Sequence, residues 1–196
     1  MDEPAEPTAR RLPRAQRREQ ILVAATEAFA RSGFAATSLD DVAHEAGVTR
    51  MIVYTHFESK AVLYQSVLER MRDKLIAATG APDFGTFAID ALLTVAAAEP
   101  AGFRLLFRHA SREPEFRATT DTIRTAGIEV ARRFLGTRIP DPAWADWACT
   151  LIPAFTLESV IAWLDAGQPD PEGAADRIRT AIGGIVSAAG GRDKPR

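Results

Sequence analysis

The chain is short of the residues on which most enzymes and secreted scaffolds are built. Its 196 residues include one cysteine, three histidines, three methionines and two tyrosines. A lone Cys149 excludes an internal disulfide framework and a cysteine-rich zinc site, and it suits a reducing, cytoplasmic location. His44, His56 and His109 form no His-Glu metal motif, and neither a phosphate-cradling glycine loop nor a nucleophile elbow appears. Catalysis and a cofactor are therefore not expected. An excess of charge of one sign is also missing. The formal net charge of −2 argues against a protein that coats nucleic acid indiscriminately, though it permits a local basic face. The most apolar run, Ala91 to Ala98, is far too short to cross a bilayer, and the N-terminus has no apolar signal core, so no membrane partner is expected.

What is present is an ordinary globular composition, 46% hydrophobic and 26% charged, in a chain long enough for one sizeable core or two small helical domains. Apolar residues recur at helical spacing almost throughout, and no alternating run is long enough for a sheet, so the predicted class is all-α. Residues 1–13 hold three prolines and no periodicity and are read as a disordered arm. Arg10, Arg11, Arg14, Arg17 and Arg18 cluster at its end, as a solvated tail or as a contact for phosphates or an adjacent minor groove. Ile21, Leu22, Ala25, Ala28 and Phe29 make one stripe of a helix from Arg14 to about Ser32. Gly33 is its predicted left-handed cap, with Phe34 folding back.

From Thr37 to Lys60 the pattern is two short helices joined by a tight turn. Leu39, Val42, Ala43 and Ala46 form the buried face of the first, with Thr37 or Ser38 as cap and Asp40 or Asp41 completing a capping box. Gly47 turns the chain with a predicted positive φ, and Val48 plugs the corner. Thr49 is placed to cap a second helix through Phe57 in which Val53 and Phe57 face inward. Arg50, Met51, Tyr54 and Thr55 are then left outside. This is the layout of a helix-turn-helix, whose second helix enters the major groove N-terminus first.

The continuation Tyr54-Thr55-His56-Phe57 and Ser59-Lys60, with Gly33-Phe34, Thr37 and Ala46-Gly47-Val48 before it, resembles the N-terminal domain of the TetR (tetracycline-repressor-like) family of bacterial transcription regulators. The resemblance covers roughly Arg14 to Leu68. It implies that Arg50 meets base edges, while Thr37, Thr49, Tyr54, His56 and Lys60 serve phosphates. Met51 departs from the small residue usual there. A thioether at that point either meets a thymine methyl or is partly buried.

The predicted organisation is a helix-turn-helix domain over 14–58, a connecting helix over 59–79 capped by Ser59, a helical bundle over 80–190 and a tail over 191–196. In the bundle, helices are expected over Asp83–Glu99, stopped by Pro100, then Ala101 to about Arg112. Further helices run from Pro114 to Phe134, from Ala143 to Ala166 with a kink at Pro153, and from Pro171 to about Ala189. Phe87, Phe103, Phe107, Phe116, Trp147 and Phe155 are expected to converge as solid core or as the lining of an apolar cavity. The resemblance implies a small-molecule effector and a homodimer, commonly joined through the last two helices. Ile178, Ile182, Ile185 and Ala189, beside Gly183 and Gly184, are the candidate dimer stripe. The expected function is a repressor released from a palindromic DNA operator by a largely apolar ligand. The alternatives are a ligand-independent DNA-binding dimer and a helical ligand-binding protein that does not bind DNA.

Overall fold

The computed structural model describes residues 12–80 and 88–191. All regular structure among the described residues is helical: α1 (Arg14–Ala36), α2 (Leu39–Glu45), α3 (Arg50–His56), α4 (Lys60–Thr79), α5 (Ala88–Ala98), α6 (Pro100–Arg104), α7 (Arg117–Leu135), α8 (Pro142–Asp165) and α9 (Ala174–Ala189). The chain divides into two compact units between Tyr64 and Gln65, inside α4. The expected helix start at Asp83, and Phe87, lie outside the described residues.

In the first unit α1 buries Ile21, Leu22, Ala25, Ala28 and Phe29. Gly33 has the anticipated positive φ (77°), but its ψ of 168° is extended rather than left-handed helical. It is a corner inside α1 and not a terminal cap, because residues 34–36 resume helical turns. That combination of φ and ψ is essentially confined to glycine. The corner returns Phe34 toward the core, where its ring lies 6.3 Å from Phe29 and 5.0 Å from Tyr64. Ser38 caps α2 through a reciprocal box with Asp41, which resolves the choice among four capping residues. Gly47 has φ 62° and Ser59 Oγ accepts the Val62 amide at 3.2 Å, capping α4. Leu63, Val67, Met71 and Leu75 line the buried side of α4.

In the second unit α8 packs against α7, α9 and α5. By length and composition α8 could cross a membrane, with a mean hydropathy of 1.5 over its most apolar window. Here it is the central packing element of the unit. Several helix limits differ from the sequence reading, among them the start of α9, at Ala174 rather than Pro171. Pro100 opens α6 at its first position instead of merely stopping α5, since a proline there has no amide to orphan. After Arg104 the helix widens to a π-turn over Leu105–His109 and tightens to a 3-10 turn over Ala110–Arg112. Pro114 precedes α7, which begins only at Arg117. Pro153 sits within one continuous α8. The facing residue is Gly127, where an added Cβ would come within 3.1 Å of the proline side chain. The α8 N-terminus is set by Asp141, whose carboxylate accepts the amides of Ala143 and Trp144.

Gly33→Ala is expected to destabilise the protein by about 1–3 kcal/mol, the usual cost of strained backbone. No atom lies within 4 Å of the added Cβ, so the loss would be conformational rather than steric. Urea unfolding of the full chain reads it as a lowered midpoint at unchanged slope.

Candidate nucleic-acid interface

Val53 is fully buried and Phe57 is 2% exposed, which pins one side of α3 to the first unit. Burial of side chains this size stabilises by about 1.5–3 kcal/mol each. Thr49 and Arg50 at its start, and Met51, Tyr54 and Thr55 along it, are all exposed. Met51 is 74% exposed, which removes the partly buried alternative for its thioether. Thr49 occupies the N-cap of α3, but its side chain makes no capping hydrogen bond.

Arg50 is held rather than free. One terminal nitrogen donates to Asp40 Oδ2 at 2.7 Å and the other to Tyr54 Oη at 3.2 Å, with the guanidinium carbon 5.4 Å from the Tyr54 ring centroid. Its side chain nevertheless stays 55% exposed. Arg18 covers the Phe57 ring at 5.0 Å. Burial, reinforced by the charges of Arg14, Arg18 and Arg17, holds His56 below the ordinary imidazole range. His44 is exposed in the last turn of α2. A shallow groove of about 480 Å³ lies elsewhere on the unit, with Glu19, Glu27 and Glu45 among its lining. Its charge sets it apart from a phosphate-binding face.

Two residues expected at phosphates do other work. Thr37 is 2% exposed and its hydroxyl donates to Gly33 O (2.7 Å) and Ala28 O (3.2 Å). It closes the corner between α1 and α2 and cannot reach a phosphate. Lys60 Nζ donates to Phe34 O (2.8 Å) and Ala35 O (3.2 Å) and lies 4.6 Å from the Phe34 ring centroid. It locks the start of α4 to the Gly33 corner, with one of its three N–H donors left over.

In the second unit Phe103 is fully buried, with its ring 4.8 Å from the half-buried Phe107. Phe116 is 4% exposed and Phe155 is half-buried. Trp147 is not part of that interior: it is 41% exposed and meets Trp144, itself 50% exposed, edge-on at 5.4 Å. Phe134 is also exposed. Of the proposed dimer stripe, Ile178 and Ala189 are buried, and Ile182 and Ile185 pack against a core built from α7 and α8. Ile178 and Ala189 are thus taken up inside the unit, while Ile182 and Ile185 stay half-buried at its edge. The outward side of α9 carries Ala181, Gly183, Gly184, Ser187 and Ala188. His109 is half-buried in the π-turn, held below its ordinary value by burial and by Arg112 and Arg108. Cys149 is buried, and that burial pushes its thiol up, away from reactivity.

A short helix anchored on one side and bearing arginine, tyrosine and a bulky thioether on the other, set behind a supporting helix, defines a helix-turn-helix DNA-binding protein with an appended helical unit. Residues 21–67 match the family described as "Bacterial regulatory proteins, tetR family". The chain is 30% identical to the HTH-type transcriptional activator FasR of Mycolicibacterium smegmatis, over 89% of this chain and 85% of that one. A TetR-like regulator from Rhodococcus sp. RHA1 shares the fold with a TM-score of 0.73 at 20% identity, over 88% and 96% of the two chains. FadR from Bacillus subtilis, solved with stearoyl-CoA, has a TM-score of 0.66 at 17% identity, over 86% and 97%. The chain belongs to the tetR family and is a DNA-binding transcriptional regulator.

Because burial and three arginines oppose the protonated form of His56, the unfolded chain takes up that proton first as pH falls. His56 therefore contributes stability that is present above the ordinary value of about 6.5 and lost as pH drops through the lower folded-state value. A phosphate beside the ring would reverse the preference. NMR titration should show His56 titrating below 6.5 in the free protein and moving upward when duplex DNA is added. A midpoint that DNA leaves in place means no phosphate lies beside it.

Proposed function

We propose that this chain is a cytoplasmic homodimer that grips a palindromic operator and releases it when a small, largely apolar ligand fills the second unit. The carrying observation is the exposed face of α3, anchored from behind by Val53 and Phe57. On it Arg50 reads base edges and Met51 meets a thymine methyl, while Thr49, Tyr54, His56 and the spare Lys60 donor serve phosphates. One such helix covers a few base pairs. A two-fold pair spaced by a helical turn, about 34–36 Å, supplies the rest of the affinity.

The outward side of the C-terminal half of α9, made of small residues, and the exposed Trp144 and Trp147 of α8 are the surfaces that support a dimer. Small side chains let helices of two copies approach closely, and exposed indoles gain most from being covered. For the effector, the interior aromatics Phe103, Phe107, Phe116 and Phe155 favour an apolar molecule. The stearoyl-CoA held by Bacillus subtilis FadR, a protein of the same fold, makes a long acyl chain a class to try. Ligand entry acts by favouring a conformation in which the two reading heads are wrongly spaced, and a shift of ~1–3 kcal/mol between states suffices. The relative spanning most of the chain is named an activator. The same grip represses or activates according to where the operator lies relative to the promoter.

Selection of bound fragments from a random duplex pool should return a palindrome, and Arg50→Ala should erase preference at one base of each half-site. An unstructured consensus, or one that the variant leaves intact, overturns the assignment of α3. Gly183→Leu tests the dimer face by sedimentation. On a solvent-facing helix it would stabilise by up to about 1 kcal/mol. At the proposed interface it should instead yield monomers and cost about 100-fold or more in operator affinity, and a stable dimeric variant excludes this face.

A further inference from the structure

A carboxylate on a DNA-reading surface is a liability, because duplex DNA presents a negative charge about every 1.7 Å of its axis. Asp40 nevertheless sits on the first turn of α2 with its side chain 60% exposed. Helix capping does not account for it, since the cap of α2 is the reciprocal pair of Ser38 and Asp41. What its carboxylate does touch is the residue assigned to base edges: Oδ2 accepts from Arg50 at 2.7 Å.

The geometry around Arg50 gives that contact a purpose. Asp40 holds one terminal nitrogen, the Tyr54 hydroxyl holds the other at 3.2 Å, and the Tyr54 ring lies 5.4 Å from the guanidinium carbon. A long exposed side chain is thereby fixed from three directions across two helices. An arginine has five N–H donors. Two are used here, and the three that remain, one on each terminal nitrogen and the Nε–H, keep the fork that matches the O6 and N7 acceptors of guanine.

We propose that Asp40 is a positioning and specificity-determining residue: it presets the Arg50 guanidinium for a guanine edge and keeps that guanidinium from pairing with arbitrary phosphates. The proposal rests on α3 being the base-reading helix. At a cognate site the guanine takes the remaining donors while the Asp40 contact persists. On an unrelated duplex a phosphate that approaches the Arg50 guanidinium also meets the exposed Asp40 carboxylate beside it, and the two negative groups repel. The carboxylate thus lowers affinity for all DNA but lowers it least at the right sequence.

Asp40→Asn is the informative substitution. It removes the charge, keeps the shape and leaves the Ser38–Asp41 cap in place. Wild-type protein first enriches a duplex from a random pool, and Arg50→Ala identifies the base pair whose preference depends on Arg50. Binding is then measured across a salt series on three probes: the enriched duplex, that duplex with the identified pair exchanged, and a random-sequence duplex of equal length. For Asp40→Asn the random duplex should bind more tightly, with the slope of log affinity against log salt steeper by about one. Discrimination at the identified pair, about fivefold to a hundredfold for a good bidentate contact, should largely collapse. Asp40→Glu, which restores the charge, should recover part of it. Wild-type discrimination and salt slope in Asp40→Asn overturn the proposal. So does uniform weakening on all three probes with a lowered melting temperature, which would make Asp40 structural. If Arg50→Ala leaves the consensus unchanged, the reading of α3 itself fails, a result separable from either of those.

Discussion

Seven residues do not hold a helix in water, where isolated helices need about 12–15 residues to be even marginal. α3 has seven, so its existence depends on the burial of Val53 and Phe57 one turn apart. That single constraint decides the rest of the reading head. With positions 53 and 57 inward, 51 and 55 fall on the opposite side; Arg50 shares the stripe of Val53 but lies in the first turn, at the Gly47 corner, where it stays exposed beside Tyr54. Arg18 covers Phe57, so the N-terminal helix supports the same anchor. The recognition surface is the complement of a packing requirement.

The same logic explains why polar residues near that surface have unexpected partners. The corner at Gly33 brings carbonyls of α1 close to the starts of α2 and α4, and buried carbonyls need donors. Thr37 supplies a hydroxyl to Ala28 and Gly33, and Lys60 supplies an ammonium to Phe34 and Ala35. Both are drawn into holding the head together. Arg50 and Asp40, lying across the turn from one another, remain exposed and pair on the outside.

In the second unit, the half of α4 beyond Tyr64 is tied to the corner between α5 and α6. Arg70 meets both oxygens of Glu99, and Lys74 joins the same carboxylate. Burial pushes the Glu99 carboxyl up, but the hydrogen bonds from Arg70 and Lys74 outweigh it and hold the group below its usual range. Arg70 is only 11% exposed, so this junction is stiffer than a surface ion pair. It sits on the helix that continues into the reading head. Beside it, the π-turn of Leu105–His109 interrupts regular hydrogen bonding in the helix after α6, a feature common where helices meet ligands or must shift.

The sequence by itself determined the all-helical class, the two short helices and the turn between them, the positive φ of Gly33 and Gly47, and the exposed residues of α3. Each follows from periodicity and from local backbone chemistry within a few residues. It also carried the apolar stripe of α9, but a stripe states that a face is buried without naming what buries it. Only the tertiary structure decided that Ile178 and Ala189 are buried within the unit while Ile182 and Ile185 are half-buried, that Trp147 lies outside, and that small residues form the exposed side of the C-terminal half of α9. The pairing of Asp40 with Arg50 and the seats of Thr37 and Lys60 were likewise illegible in one dimension. They depend on groups 4 to 26 positions apart meeting across corners, and no local rule links such positions until the chain has folded.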